Sequence, residues 1–166
     1  MEGLYAPWRS EYFTNSTQGC VFCHIADTPE DDEALGVLFR DTHCYGVMNR
    51  YPYTPGHFMI IPYEHTSAIE TLDEVVWDQM SAHVRTGVKM LKETFGVLGV
   101  NIGMNLGECA GAGIAEHVHY HLVPRWQKDT NFITTIGEIR VHGVPFEGIY
   151  ERLKQASLEH FKMSTY

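Results

Sequence analysis

Apolar residues come in short runs separated by proline, glycine and acidic clusters, and the period of the pattern changes along the chain. Leu35 to Arg40 and Tyr45 to Met48 predict two short strands, with Asp41-Thr42-His43 as the hairpin-like break between them. Asn49 to Gly56 carries two prolines and a glycine and reads as a loop. His57 to Pro62 follows as a buried strand ended by proline. Val76, Met80, Val84, Val88, Leu91 and Phe95 then recur at spacings of three and four, which predicts a helix from Asp73 to Phe95. Asp73 is its N-cap, Leu72 offers a hydrophobic staple, and Gly96 and Gly99 close it. Val97 to Asn105 and His117 to Pro124 predict two more strands around a flexible loop, Gly107 to Gly113. Gly148 to Phe161 predicts a C-terminal helix. A meander of strands around one long helix, without repeated βαβ units, indicates an α+β domain with about five mainly antiparallel strands.

The 166 residues suffice for one domain with one core. Residues 1–19 are expected to form an irregular arm, 20–126 the core, and 127–166 an extension ending in the helix. The acidic stretch from Thr28 to Glu33 is expected to be a solvated turn. No apolar run is long enough to span a membrane, and the first residues lack the basic and apolar regions of a secretory signal. Twelve basic against 21 acidic residues leave a net charge of −9, which argues against nucleic-acid or membrane-surface binding. A small phosphate ligand is still compatible, because donors in one pocket outweigh a distant negative field. Four cysteines in such a chain point to reduced thiols and a cytoplasmic protein.

The chemistry concentrates in His117-Val118-His119-Tyr120-His121. In an extended chain residues i, i+2 and i+4 share one face, so three imidazoles point one way while Val118, Tyr120 and Leu122 point the other. The two outer Cα atoms would lie about 13 Å apart at a rise of about 3.3 Å per residue, too far for the outer rings to share one metal ion. The row is therefore expected to divide between two tasks. A neutral imidazole is a good nucleophile near pH 7, and a row of them beside a glycine-rich loop offers a nucleophile plus donors to a phosphorus centre. A histidine-rich strand without chemistry, and catalytic zinc held by histidines, are the competing readings.

With Pro124-Arg125 after the row, Asn49 and Pro55-Gly56-His57 upstream, and Asn105-Leu106-Gly107 before the glycine loop, residues 20–126 resemble the histidine triad (HIT) family of nucleotide hydrolases and transferases. Trp8-Arg9 and Arg125-Trp126 with Asp129-Thr130-Asn131-Phe132 are closest to its bacterial diadenosine tetraphosphate phosphorylase/hydrolase-like branch. The resemblance implies a HIT-like fold, a homodimer, and cleavage at the α-phosphate of an adenine nucleotide. His119 would be the nucleophile, His121 would hold a phosphate oxygen or position the nucleophile, and His57 would steady the row from behind. Asn49 would bind the ribose, and Phe22, Ile25 and Met48 would line the base pocket. Asn105, Gly111, Gly113 and Ile114 would meet the phosphate. Ile114 stands where many relatives carry a hydroxyl, so that contact would be missing or replaced by backbone donors. A weakly active nucleotide-binding module and an adenosine phosphoramidase are the alternative activities.

Cys20-Val21-Phe22-Cys23 is half of a metal site. A subset of the family completes such a pair with residues that correspond to His65 and His117. The resemblance thus implies structural zinc on Cys20, Cys23, His65 and His117, at the end of the row that the nucleophile does not need. A redox-active pair and plain buried thiols are the alternatives.

Overall fold

The computed structural model describes residues 19–127, 129, 136 and 146–161. The arm before residue 19, and Thr130-Asn131-Phe132, lie outside the described residues.

Three short elements precede the sheet: α1 (Val21–Asp27), a 3-10 turn over Pro29–Asp31, and α2 (Asp32–Leu35). The stretch expected as a solvated turn is thus largely helical. Gly36, at φ +77°, closes α2 by donating its N–H to the carbonyls of Asp32 and Glu33. That closure delays strand β1 (Val37–Arg40) by two residues relative to the sequence pattern. Then come β2 (Cys44–Met48), β3 (Phe58–Pro62), α3 (Glu74–Phe95), β4 (Gly99–Gly103), β5 (Tyr120–Arg125) and α4 (Phe146–His160). The strands form one antiparallel five-stranded sheet in the order β1-β2-β3-β5-β4. The α+β architecture and its antiparallel sheet are as the sequence pattern predicts.

Alternation along the strands divides the sheet into two faces. Cys44, Met48, Phe58, Ile60 and Leu122 pack with Met80, Val84 and Leu91 of α3 and Leu153 of α4 to form the larger core. Tyr45, Val47, Met59 and Ile61 point the opposite way and form a smaller cluster with Phe22 and Ile25 of α1. α3 begins where Asp73 accepts the Val75 N–H at 2.8 Å and ends at Gly96 in the left-handed conformation. In its middle, a Cβ on Gly87 would lie 2.6 Å from Phe58 Cζ and 2.8 Å from Leu122 Cδ2, so the bare backbone lets the helix sit low on the sheet. α4 grips the edge strand β1: Ser157 Oγ donates to the Leu38 carbonyl at 2.7 Å and Lys154 Nζ to that of Val37 at 2.8 Å. Among the described residues no helix is long and apolar enough to cross a membrane.

The β1–β2 hairpin turns where expected, Asp41 N–H donating to the Cys44 carbonyl. Opposite Phe39, Gly46 leaves room for the aromatic ring, which a Cβ at that position would overlap. Gly46→Ala is expected to destabilise the domain by about 1–3 kcal/mol, as overpacked cores do. Adding Phe39→Leu should recover part of the loss. Urea unfolding checks both, and an unchanged midpoint for Gly46→Ala would refute the packing argument.

Candidate active site

The proline-punctuated loop before β3 is closed by three bonds. His57 O accepts the Asn49 N–H at 3.0 Å, Thr54 O accepts the His57 N–H at 3.1 Å, and Thr54 Oγ1 donates to the Pro124 carbonyl at 2.8 Å. The closed loop presents the Tyr53 N–H to His57 Nδ1 at 3.2 Å. A neutral imidazole has one donor and one acceptor nitrogen, so accepting at Nδ1 places the proton of His57 on Nε2. His57 Nε2–H then donates to His121 Nδ1 at 3.0 Å, which leaves the proton of His121 on its own Nε2. One main-chain N–H thus determines the tautomers of two rings. Burial, followed by the neighbouring imidazoles, lowers His57 to about 3 and His121 to about 4, so both are neutral at physiological pH. His57 therefore bonds directly to His121, whose ring in turn lies against His119.

His119 is 5% exposed. Its Nδ1–H donates to the main-chain carbonyl of His117 at 2.8 Å, which puts the lone pair on Nε2. Burial holds its pKa below the ordinary imidazole value, partly offset by that hydrogen bond. The ring lies 4.7 Å from His121 and 4.8 Å from Phe22, centroid to centroid.

His117 faces elsewhere. The expected strand over His117 to Pro124 starts only at Tyr120, because the ladder with β3 ends at the Ile60–Tyr120 pair. Upstream of it the Val118 N–H goes to the Thr66 carbonyl at 2.8 Å. His117 Nε2–H donates to the Pro62 carbonyl at 3.0 Å, and Nδ1 lies 3.3 Å from Cys20 Sγ and 3.7 Å from Cys23 Sγ. His65 Nδ1 is 3.2 Å from Cys23 Sγ. All four donor atoms fall within 4.8 Å of one another. Tetrahedral zinc with bonds of about 2.3 Å to sulfur and about 2.0–2.1 Å to nitrogen would set each sulfur about 3.6 Å from each nitrogen. The donor set and its spacing fit such an ion. The outward bond from His117 to Pro62 is the orienting contact that a ligating histidine usually makes. The row of histidines is therefore divided, its first ring among the thiols and its other two against each other.

The remaining candidates are spread more widely. Phe22 and Ile25 are buried on α1, in the smaller cluster against which Ile114 packs. Asn105 is half-buried, and Gly111 and Gly113 are exposed, all on the loop from β4 to β5. Asn49 Oδ1 accepts the Tyr51 N–H at 2.9 Å, and its Nδ2 is 3.5 Å from His57 Nε2. Met48 belongs to the other side of the sheet: it packs in the larger core, and Val47 takes the face shared with Phe22. Strand alternation accounts for the difference. Cys44, with its thiol pushed up to about 12 by burial, is an inert packing residue, and Cys109 is exposed.

The chain belongs to the HIT domain family, which residues 32–128 match. It is 42% identical to the AP-4-A phosphorylase of Mycobacterium tuberculosis, over 85% of this chain and 76% of that protein. It is 28% identical to the asymmetrical bis(5'-nucleosyl)-tetraphosphatase of Schizosaccharomyces pombe, over 56% of this chain and 50% of that protein. A Zn-bound histidine triad family protein from Mycobacterium smegmatis has the same fold, with a TM-score of 0.68 and 26% identity over 85% of this chain and 94% of that one.

Since the folded-state pKa values of His57 and His121 lie below the ordinary 6.5, the unfolded chain binds protons there that the folded chain does not. Their stabilising contribution is complete above pH 6.5 and is lost progressively as pH falls through about 4 for His121 and about 3 for His57. His57→Asn is expected to flatten the fall in melting temperature between pH 6.5 and 4.5. A profile as steep as that of the wild type would show that His57 is not held neutral.

Proposed function

We propose that this protein cleaves diadenosine tetraphosphate, or a closely related adenine nucleoside polyphosphate, at the α-phosphate through a nucleotidyl-His119 intermediate. The observation that carries the reading is the 2.8 Å bond from His119 Nδ1–H to the His117 carbonyl, which leaves Nε2 as the nucleophilic atom. The 42% identity to an AP-4-A phosphorylase supports the substrate class. Nε2 attacks the α-phosphorus, a nitrogen–phosphorus bond forms, and the bridging phosphorus–oxygen bond breaks to release ATP. The substituted ring becomes cationic, and its Nδ1–H donates more strongly to the same carbonyl. Inorganic phosphate or water then attacks the phosphorus from the opposite side. The nitrogen–phosphorus bond breaks, and ADP or AMP leaves. His121 presents Nε2–H to a phosphate oxygen in both steps, with its tautomer held by His57. Phe22, Ile25 and Ile114 form the apolar wall for the base, Asn49 meets the ribose, and Asn105 with the backbone at Gly111 and Gly113 meets the phosphates.

Incubation with diadenosine tetraphosphate, with and without inorganic phosphate, followed by mass analysis tests this. ATP plus ADP is expected with phosphate, and ATP plus AMP if water alone resolves the intermediate. His119→Ala should lose at least about a thousandfold in kcat while still binding AMP, the scale expected for removal of a covalent catalyst. Substantial turnover by that variant would eliminate the mechanism.

We further propose that Cys20, Cys23, His65 and His117 hold one structural zinc ion, which ties α1 to the sheet; the ion supplies folding energy and takes no part in bond making. The 3.2–3.7 Å donor spacings support this. Purified protein should contain about one zinc per chain by elemental analysis. Cys23→Ser should lose the ion and melt at a lower temperature, since structural zinc contributes on the order of 10 kcal/mol. Equal melting temperatures for metal-loaded and chelated protein would refute the structural role.

A further inference from the structure

α1 carries Phe22 and Ile25 against the base side of the site, yet seven residues are too few for an independently stable helix. Its N-cap, Cys20, makes no side-chain cap hydrogen bond. Tertiary contacts must therefore set its position. At the C-terminal end those contacts come largely from one side chain on the edge strand, Arg40. Its Nη2 donates to the Ile25 carbonyl at 2.6 Å and its Nη1 to that of Ala26 at 3.2 Å, meeting carbonyls the helix end leaves without helical partners. The fork is held by Asp32, whose oxygens accept from Nε at 3.0 and 3.1 Å and from Nη2 at 2.6 Å. The guanidinium also lies 5.5 Å over the ring of Tyr45, whose hydroxyl donates to the Phe22 carbonyl at 2.7 Å. Arg40 thus reaches the last turn of α1 directly and the carbonyl of Phe22 through Tyr45.

We infer that Arg40 is a positioning residue for nucleotide binding, fixing α1 so that Phe22 and Ile25 form a pocket of the right width for the base. The inference rests on the proposed nucleotide reading of the site. The bonds of Arg40 go to the main chain of α1 and to Asp32, and so it acts through the helix rather than on substrate. The thiols of Cys20 and Cys23 secure the other end of α1, so loss of Arg40 should free the base-contacting face without releasing the metal ligands. A lysine carries its donors on a single atom and lacks the planar fork that holds both carbonyls and both oxygens of Asp32 in one geometry.

The test compares full-length wild type, Arg40→Lys and Arg40→Met, each also in the His119→Ala background for calorimetric AMP binding. Arg40→Met is expected to weaken AMP binding and raise KM for diadenosine tetraphosphate by about tenfold, the scale of one lost charge-assisted hydrogen bond. Its kcat at saturation and its zinc content should stay within about twofold of wild type, the pattern of a binding rather than a chemical defect. Arg40→Lys should fall between the two. A lower melting temperature with unchanged AMP affinity and KM would overturn the inference, because a merely structural residue gives that result. If Arg40→Met does not fold, a wild-type KM in Arg40→Lys overturns it equally. Wild-type protein that does not bind AMP overturns the nucleotide reading as well, whereas AMP bound equally by wild type and variant overturns only the role of Arg40.

Discussion

A single main-chain carbonyl, that of His117, holds the ring proposed as the nucleophile, while the side chain of the same residue lies among the two thiols and His65. The two halves of the site therefore share one residue, and neither can shift without moving the other. His117 can serve both because the ladder between β3 and β5 stops at Tyr120. Freed from strand pairing, its ring can turn to the thiols while its carbonyl stays in reach of His119. Phe22 adds a second link, packing on the rings of both His117 and His119. Metal-like coordination and the proposed covalent chemistry are thus neighbours by construction.

The long helix and the antiparallel strands were legible because each depends on a periodic pattern that one element carries within itself. Asp73 and Gly96 even mark the helix ends. The length argument against a single three-histidine site also anticipated that the row would divide. What the pattern missed was set by neighbours. The row was expected to be extended throughout, but its first residues follow Thr66 and Pro62 instead of a strand partner. Met48, expected beside Phe22 and Ile25, lies on the opposite face of the sheet because the alternation of β2 runs through to its end.

α1 shows a different kind of limit. A seven-residue helix has too few turns for its apolar spacing to stand out, and Arg40, Asp32 and Tyr45, which hold it, lie five or more residues beyond its end. Nothing local in the chain signals such a clamp. The Tyr53 N–H is equally hidden, since a main-chain donor is present at nearly every position and only the closed loop aims this one at His57.

The low seat of α3 at Gly87 reaches further than the core it fills. The helix rests there on Phe58 and Leu122, which are paired across β3 and β5 and are the immediate chain neighbours of His57 and His121. An added methyl group on the helix would press on both strands at the one place where their opposite surfaces carry the imidazole relay. A 3.0 Å contact between rings tolerates little shear. The reverse side of the sheet is therefore a mechanical foundation whose flaws would surface as catalytic ones.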